Sequence, residues 1–160
     1  MKQRCAQLTL RLDSATPDLA AQWRDGAALP YLGGQLTLQL DTDRTVAVRD
    51  HDILHLPLPP AASTRQIRDG VEAWLRKEAA CLIGASIARQ ADLLGRPAPR
   101  WSLSFAARSS WVSGQSDGSL RCNWRLIEQP GALIDQSIRQ ALAALPVAHS
   151  TADFWEMQPA

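Results

Sequence analysis

Hydrophobic and polar residues alternate along the first third of the chain. Leucine stands at every second position in three runs, Leu8 to Leu12, Leu36 to Leu40 and Leu54 to Leu58, and Val46 and Val48 continue the pattern. This alternation is typical of strands with one buried face. Turn residues separate the runs, at Gly33-Gly34, at Asp41 to Arg44 and at Arg49 to Asp52. Residues 1–60 are therefore predicted to form mainly antiparallel strands and hairpins.

The spacing of apolar residues changes to a helical period after the prolines at 57, 59 and 60. Ser63 or Thr64 offers an N-cap for a long helix that continues to Leu94, with Gly95 and Pro97 as the stop. Its apolar positions are Ile67, Val71, Trp74, Leu75, Leu82, Ile83 and Ile87. This helix is expected to pack its apolar stripe on the sheet.

A second amphipathic helix is predicted near the end of the sequence. Ile134, Ile138, Leu142 and Leu145 recur at spacings of four, four and three before Pro146. A short helix follows from Ser150 or Thr151. A strand from Trp101 to Phe105 and a strand hairpin from Ser110 to Ile127 separate the two main helices. The predicted fold is α+β, with residues 1–160 as a single domain.

Composition excludes several classes of protein. A chain of 160 residues with 46% apolar content is long enough for one domain with a core. A formal net charge of +1 gives no electrostatic argument for binding nucleic acid or an anionic membrane. Cys5, Cys81 and Cys122 are far apart, which favours reduced, buried thiols. Because the first residues lack the apolar core of a signal peptide, we expect a soluble, cytoplasmic protein.

His51 and His55 have the H-x-x-x-H spacing that chelates a metal on a helix. The flanking leucines predict a strand instead, and four residues along a strand separate the two imidazoles by roughly 13 Å. We therefore favour two solvent-facing histidines on a hairpin over a metal site.

Four separated motifs suggest a family. The sequence reads WRDGAALPYLG at 23–33, WLRKEA at 74–79 and NWRLI at 123–127, and a helix from Asp135 leads to HSTADFW at 149–155. In this order, the motifs resemble those of the YgjP-type predicted metal-dependent hydrolases, a zincin-like metallopeptidase family. The resemblance extends from about Trp23 to Trp155 and implies a zincin-like α+β fold.

The resemblance also implies where a zinc site would lie. In the family, a His, a Glu one residue later and a second His four residues after the first share one helix, and a third His follows beyond it. The corresponding residues here are Gln140, Ala141, Ala144 and His149. Two imidazoles one turn apart can reach the same ion, and the Glu accepts a proton from metal-bound water. Gln is a poor zinc ligand and Ala is none, so only His149 remains as a possible ligand. A structural role, bonding backbone near Ser150, is the favoured alternative for His149.

The hairpin before this helix is the expected substrate-binding region. The family pattern R-W-G-S-C-S aligns with residues 110–115, of which Trp111 and Ser113 are retained. In zincins an edge strand beside the metal can bind substrate by strand addition. Trp111, Ser113, Asn123 and Arg125 are therefore the candidate cleft residues. Arg121 and Arg125 would share one face of a strand, as a small-anion site or, more favoured, as a solvated face.

These observations give three hypotheses. The first is a catalytically inactive family member without zinc, whose cleft binds an unknown protein or small molecule. The second is an active zinc-dependent hydrolase whose site is rebuilt around His149 with Cys122, Asp135 or Asp153. The third, a nucleic-acid-binding module, would need a clustered basic face, and the near-neutral charge argues against it.

Overall fold

The computed structural model describes residues 23–106 and 110–146, which form two β-sheets, two long helices and a short 3-10 helix. The strands are β1 Ala28–Tyr31, β2 Gly34–Leu40, β3 Val48–Asp50, β4 Ile53–Leu56, β5 Trp101–Ser104, β6 Val112–Gly114 and β7 Leu120–Asn123. The helices are α1 Thr64–Leu93, the 3-10 helix Trp124–Glu128 and α2 Gly131–Ala144. The predicted α+β class is confirmed.

The first sheet has the strand order β1-β2-β4-β3. β1 pairs with β2, and β3 with β4, in antiparallel hairpins. β2 and β4 instead pair in parallel, with Leu38 opposite Leu54. This parallel pair was not predicted, because turn residues specify local hairpins but not which strands from two hairpins meet.

His51 and His55 occupy different environments. The His51 side chain is 95% exposed in the turn before β4, as expected. His55 is buried, because β4 lies between β2 and β3. Its Nδ1 atom lies 3.7 Å from the Oδ2 atom of Asp41. The prediction that His55 faces solvent was therefore wrong.

Helix α1 begins and ends where the sequence predicts. Ser63 and Gln66 form a reciprocal capping box, in which each side chain bonds the backbone of the other residue. After Leu94 the chain leaves the helix through Gly95, which has φ +64°. Along the helix, Gly70 lies against Leu56 and Leu58 of the first sheet segment.

The second sheet has the order β5-β7-β6, and β7 passes directly into the 3-10 helix. The Asn123 side chain accepts a hydrogen bond of 3.0 Å from the Arg125 backbone N–H, which caps the 3-10 helix. The predicted strand through Ile127 therefore ends at Asn123. Consequently, Arg121 and Arg125 do not share a strand face, and that expectation was wrong.

The β1–β2 turn holds the segment that leads into α2. The backbone N–H groups of Leu32 and Gly33 donate to the carbonyls of Ile127 and Glu128, at 2.8 and 3.0 Å. A Cβ atom on Gly33 would lie 2.7 Å from the Cγ atom of Pro130. Two motifs of the family resemblance, residues 23–33 and 123–127, are therefore in direct contact, and this contact has a structural role.

Helix α2 confirms the predicted amphipathic helix, with Ile134, Ile138 and Leu142 buried. At its end, the Arg96 guanidinium donates to the carbonyls of Leu142 and Leu145. The predicted strand at residues 8–12 and the predicted helix from residue 150 lie outside the described residues. Within residues 23–106 and 110–146, neither helix has the length and hydropathy needed to cross a membrane.

Candidate functional site

A cleft of about 410 Å³ lies between strand β6 and the C-terminal half of α2. Its lining residues are Val112, Gly114, Gln115, Ser116, Ala141, Ala144, Leu145 and Pro146. The strand and helix approach closely at one end, where a Cβ atom on Gly114 would lie 2.8 Å from a Leu145 methyl group. Glycine therefore permits this approach, and the two elements form the walls of one site.

The cleft wall on α2 includes two of the positions that the resemblance assigns to zinc chemistry. Ala141 is half-buried and Ala144 is exposed, and both line the cleft. Gln140 is exposed and is not among the lining residues. The α2 wall at these positions presents methyl groups, which have neither a donor atom for a metal nor a titratable proton.

The polar groups of the cleft come from the end of β6 and the turn after it. Gln115 and Ser116 line the cleft, and the Gln115 Nε2 atom donates to the Ser113 hydroxyl at 3.1 Å. An amide and a hydroxyl can hydrogen-bond a ligand, but they are poor ligands for zinc. The described donor set of the cleft does not fit a zinc ion.

The two described candidates for a rebuilt metal site are engaged elsewhere. Cys122 is fully buried in the core on β7, and burial raises the pKa of its thiol to about 11. The Asp135 carboxylate accepts hydrogen bonds from the Ser86 hydroxyl and the Arg89 guanidinium. In the part of the chain that the structure describes, no three His, Cys, Asp or Glu side chains are grouped to hold a metal. His149 and Asp153 lie outside that part.

The four predicted cleft residues lie in strands β6 and β7 or next to them, but they do not line the cleft. The Trp111 ring is exposed, and Ser113 lies half-buried on β6. The buried Asn123 side chain donates to the carbonyl of Ala106 at 3.1 Å. Arg125 is exposed, with its guanidinium carbon 5.4 Å from the Trp124 ring centre. A binding role for these residues stays a prediction.

Sequence reasoning located the strand that borders the cleft and two alanines of the α2 wall, but it missed the strand residues that line the cleft. Because successive strand residues face opposite sides, Val112 and Gly114 point away from the face of Ser113. That alternation is the signal that could have identified them. Leu145 and Pro146 also line the cleft. From the sequence they were interpreted only as the end of the helix, and it was not considered that the residues at a helix end can border a site.

Together, the fold and the cleft define an α+β protein with a ligand-sized groove between an edge strand and a helix. The chain belongs to the YgjP-like family, since the family model described as "YgjP-like, metallopeptidase domain" matches residues 3–138. The match ends two residues before Gln140, so it does not include the positions that the resemblance assigns to the zinc ligands. No curated protein and no solved structure is significantly similar to the chain.

Proposed function

We propose that this protein is a YgjP-like family member that performs no zinc-dependent hydrolysis and uses the β6–α2 cleft to bind a ligand. The observation that carries the proposal is the pairing of a retained cleft with alanine at 141 and 144. In the family alignment implied by the motifs, these are the positions of the general base and the second histidine ligand. A single imidazole at His149 would not hold zinc in the family's manner.

The substitutions also make physical sense for a chain without catalysis. Burial is not the reason, because Gln140 and Ala144 are exposed and Ala141 is only half-buried. Alanine has the highest helix propensity, so it favours the α2 backbone where no metal ligand is required. In this proposal the cleft keeps its strand and helix walls, and residues that favour the helix stand where the catalytic residues would be.

An extended peptide is the ligand class that the cleft favours. β6 pairs with β7 on one side, and within the described residues no strand covers its other side. The Trp111 carbonyl accepts from the Asn123 N–H of β7, and the Gln115 N–H donates to the Ser119 carbonyl just before β7. By alternation, the backbone groups of Val112 and Gly114 point to the open edge. Such an edge can bind a peptide by adding a strand.

Metal content tests the proposal directly. We expect that elemental analysis of tag-free protein, dialysed without a chelator, will find far less than one zinc, nickel, manganese or iron ion per chain. A stoichiometric metal would overturn the proposal. It would instead support a hydrolase rebuilt around His149.

Restoring the family residues provides a positive test. The triple variant Gln140→His, Ala141→Glu, Ala144→His should bind one zinc ion, because histidines at i and i+4 reach the same ion. The matched control is Gln140→His, Ala141→Glu, Ala144→Gln. It keeps the first histidine and the glutamate, but an amide replaces the second imidazole, and an amide is a poor zinc ligand. A folded triple variant that binds no more zinc than this control would contradict the alignment.

A further inference from the structure

The face of the second sheet opposite the core carries polar residues in register. Arg121 on the central strand β7 is paired with Ser102 of β5 and with Ser113 of β6. Ser104 is paired with Asn123, two residues along the same strand. Paired residues share a face, with their Cβ atoms about 5 Å apart. The arginine is therefore flanked by serine on both sides.

A pocket of about 250 Å³ opens over this face. Its lining residues are Ser104, Ala106, Ser110, Ser113, Gln115 and Arg121. No Asp or Glu is among them, and Arg121 forms no ion pair with any residue in the described ranges. The only formal charge on the described lining is therefore positive.

The hydroxyl groups in the pocket have hydrogen atoms to donate. The Ser113 oxygen accepts from the Gln115 side chain at 3.1 Å, and the buried Ser104 oxygen accepts from the Ala106 backbone N–H at 3.4 Å. Neither hydroxyl donates to another described residue. A hydroxyl has one hydrogen and two acceptor lone pairs, so each serine still has its O–H for a ligand.

We propose that this serine–arginine pocket binds a carboxylate or phosphate group. A guanidinium and several hydroxyl donors match the oxygen atoms of such a group, and charge-assisted hydrogen bonds are the stronger ones. The group could come from a free ion or from an acidic side chain of a peptide on β6, where alternate residues would face this pocket and the cleft. The inference does not depend on whether the protein binds zinc.

The test is an NMR titration of the full chain with inorganic phosphate and, separately, with acetate, at constant ionic strength set with chloride. We expect saturable shifts at Ser104, Ser113 and the Arg121 side chain with at least one of the two anions. Arg121→Gln should weaken that binding about tenfold or more, as expected for loss of a charge-assisted hydrogen bond. Arg65→Gln removes the same charge from a distant, exposed site on α1 and should leave the affinity unchanged.

A second arm distinguishes the two sources. A short capped peptide of alternating valine and threonine is titrated with one central glutamate and, in parallel, with glutamine at that position. Tighter binding of the glutamate peptide that is lost in Arg121→Gln identifies a peptide side chain. Saturable binding of a free anion without that preference identifies a free ion. If neither the anions nor the glutamate peptide binds in an Arg121-dependent manner, the proposal is overturned. Ser113→Ala is an independent check and should also weaken whichever ligand binds.

Discussion

Gly33 combines two constraints that only glycine satisfies. Its φ of +79° lies in the left-handed region, and a Cβ atom would come within 2.7 Å of Pro130. Gly26 has nearly the same φ, +78°, but a Cβ atom there would meet no other atom within 4 Å. Comparing substitutions at these two glycines therefore distinguishes the cost of backbone strain from the cost of a steric clash. An alanine at position 26 tests the strain alone, and an alanine at position 33 adds the collision with Pro130.

We predict that Gly33→Ala lowers the free energy of unfolding more than Gly26→Ala does. The left-handed φ alone costs an alanine about 1–2 kcal/mol, and forcing a methyl group against Pro130 adds about 1–3 kcal/mol. Urea unfolding of the two variants beside the unmodified protein gives both values. Equal decreases in the free energy of unfolding would show that Pro130 moves aside without cost. The contact between the β1–β2 turn and Pro130 would then not be tightly packed.

Single residues also show how far the sequence could be interpreted. The proposed assignment of Gln140, Ala141 and Ala144 to the family's zinc positions comes from the sequence, because motif positions are local. The burial of His55 was not visible, since it follows from β3 and β2 enclosing β4. The contact between Gly114 and Leu145 was equally hidden, because it joins residues from separate elements.

At the scale of elements, the polar contacts between α1 and α2 fix how the helices pair. The buried Ser86 hydroxyl and the Arg89 guanidinium both donate to the Asp135 carboxylate. The Arg139 side chain donates to the buried Gln90 amide oxygen at 2.8 Å. Partial burial acts to raise the pKa of Asp135, but the hydrogen bonds from Ser86 and Arg89 outweigh it, so the pKa lies below its usual 3.8.

The lowered pKa makes this helix pair sensitive to acid. A carboxylate with a depressed pKa contributes stability above its unfolded pKa, and that contribution is lost as the pH falls through the folded value. We predict that Asp135→Asn lowers the free energy of unfolding by about 1–3 kcal/mol at neutral pH. The deficit should begin to shrink below about pH 4, near the unfolded pKa, and should vanish only when the pH has fallen below the lowered pKa of the folded carboxyl. Urea unfolding at a series of pH values measures both effects.

Asp69 provides the matched control for that prediction. It lies on the exposed face of α1, with Arg65 3.8 Å and Arg68 3.5 Å away. Exposed ion pairs of this kind contribute about 0–1 kcal/mol, so Asp69→Asn should have a small effect at every pH. A loss at Asp69 as large as the loss at Asp135 would mean that general surface charge, and not the helix contact, governs acid stability.

The two long helices were predictable from the sequence, and the 3-10 helix and some of the strand arrangement were not. The 3.6-residue period and the capping residues are local signals, and they gave α1 from its Ser63 cap to its Gly95 stop. The 3-10 helix was missed because buried Trp124 and Leu126 alternate as a strand would. The capping side chain of Asn123 was the overlooked signal, since Asn commonly initiates helical turns.

At the scale of the whole molecule, α1 connects the two sheets through one core. Gly70 lies against Leu56 of the first sheet, and a Cβ atom on Gly84 would lie 3.0 Å from the Trp101 ring of the second. The buried apolar residues of both sheets and both helices form one cluster. Both sheets therefore contribute buried residues to the core that this helix shares.

We predict one cooperative unfolding transition that a chelator does not shift. A shared core makes the described elements unfold together, and a protein that binds no metal gains no stability from one. Thermal unfolding should give the same midpoint by far-UV circular dichroism and by tryptophan fluorescence, with and without EDTA. Two separated transitions would contradict the single-domain prediction, and a lower midpoint in EDTA would contradict the absence of a stabilising metal.

The placement of Asp135 on α2 has an evolutionary consequence. Asp135 and Ala144 are nine residues apart, which places them on roughly opposite sides of the helix. The contacts that anchor α2 to α1 are therefore separate from the side chains that face the cleft. Mutations at the cleft positions can accumulate, or be reversed, while the anchoring contacts keep the helix in place. Such an arrangement lets a lineage abandon one chemistry and acquire another without first redesigning its fold.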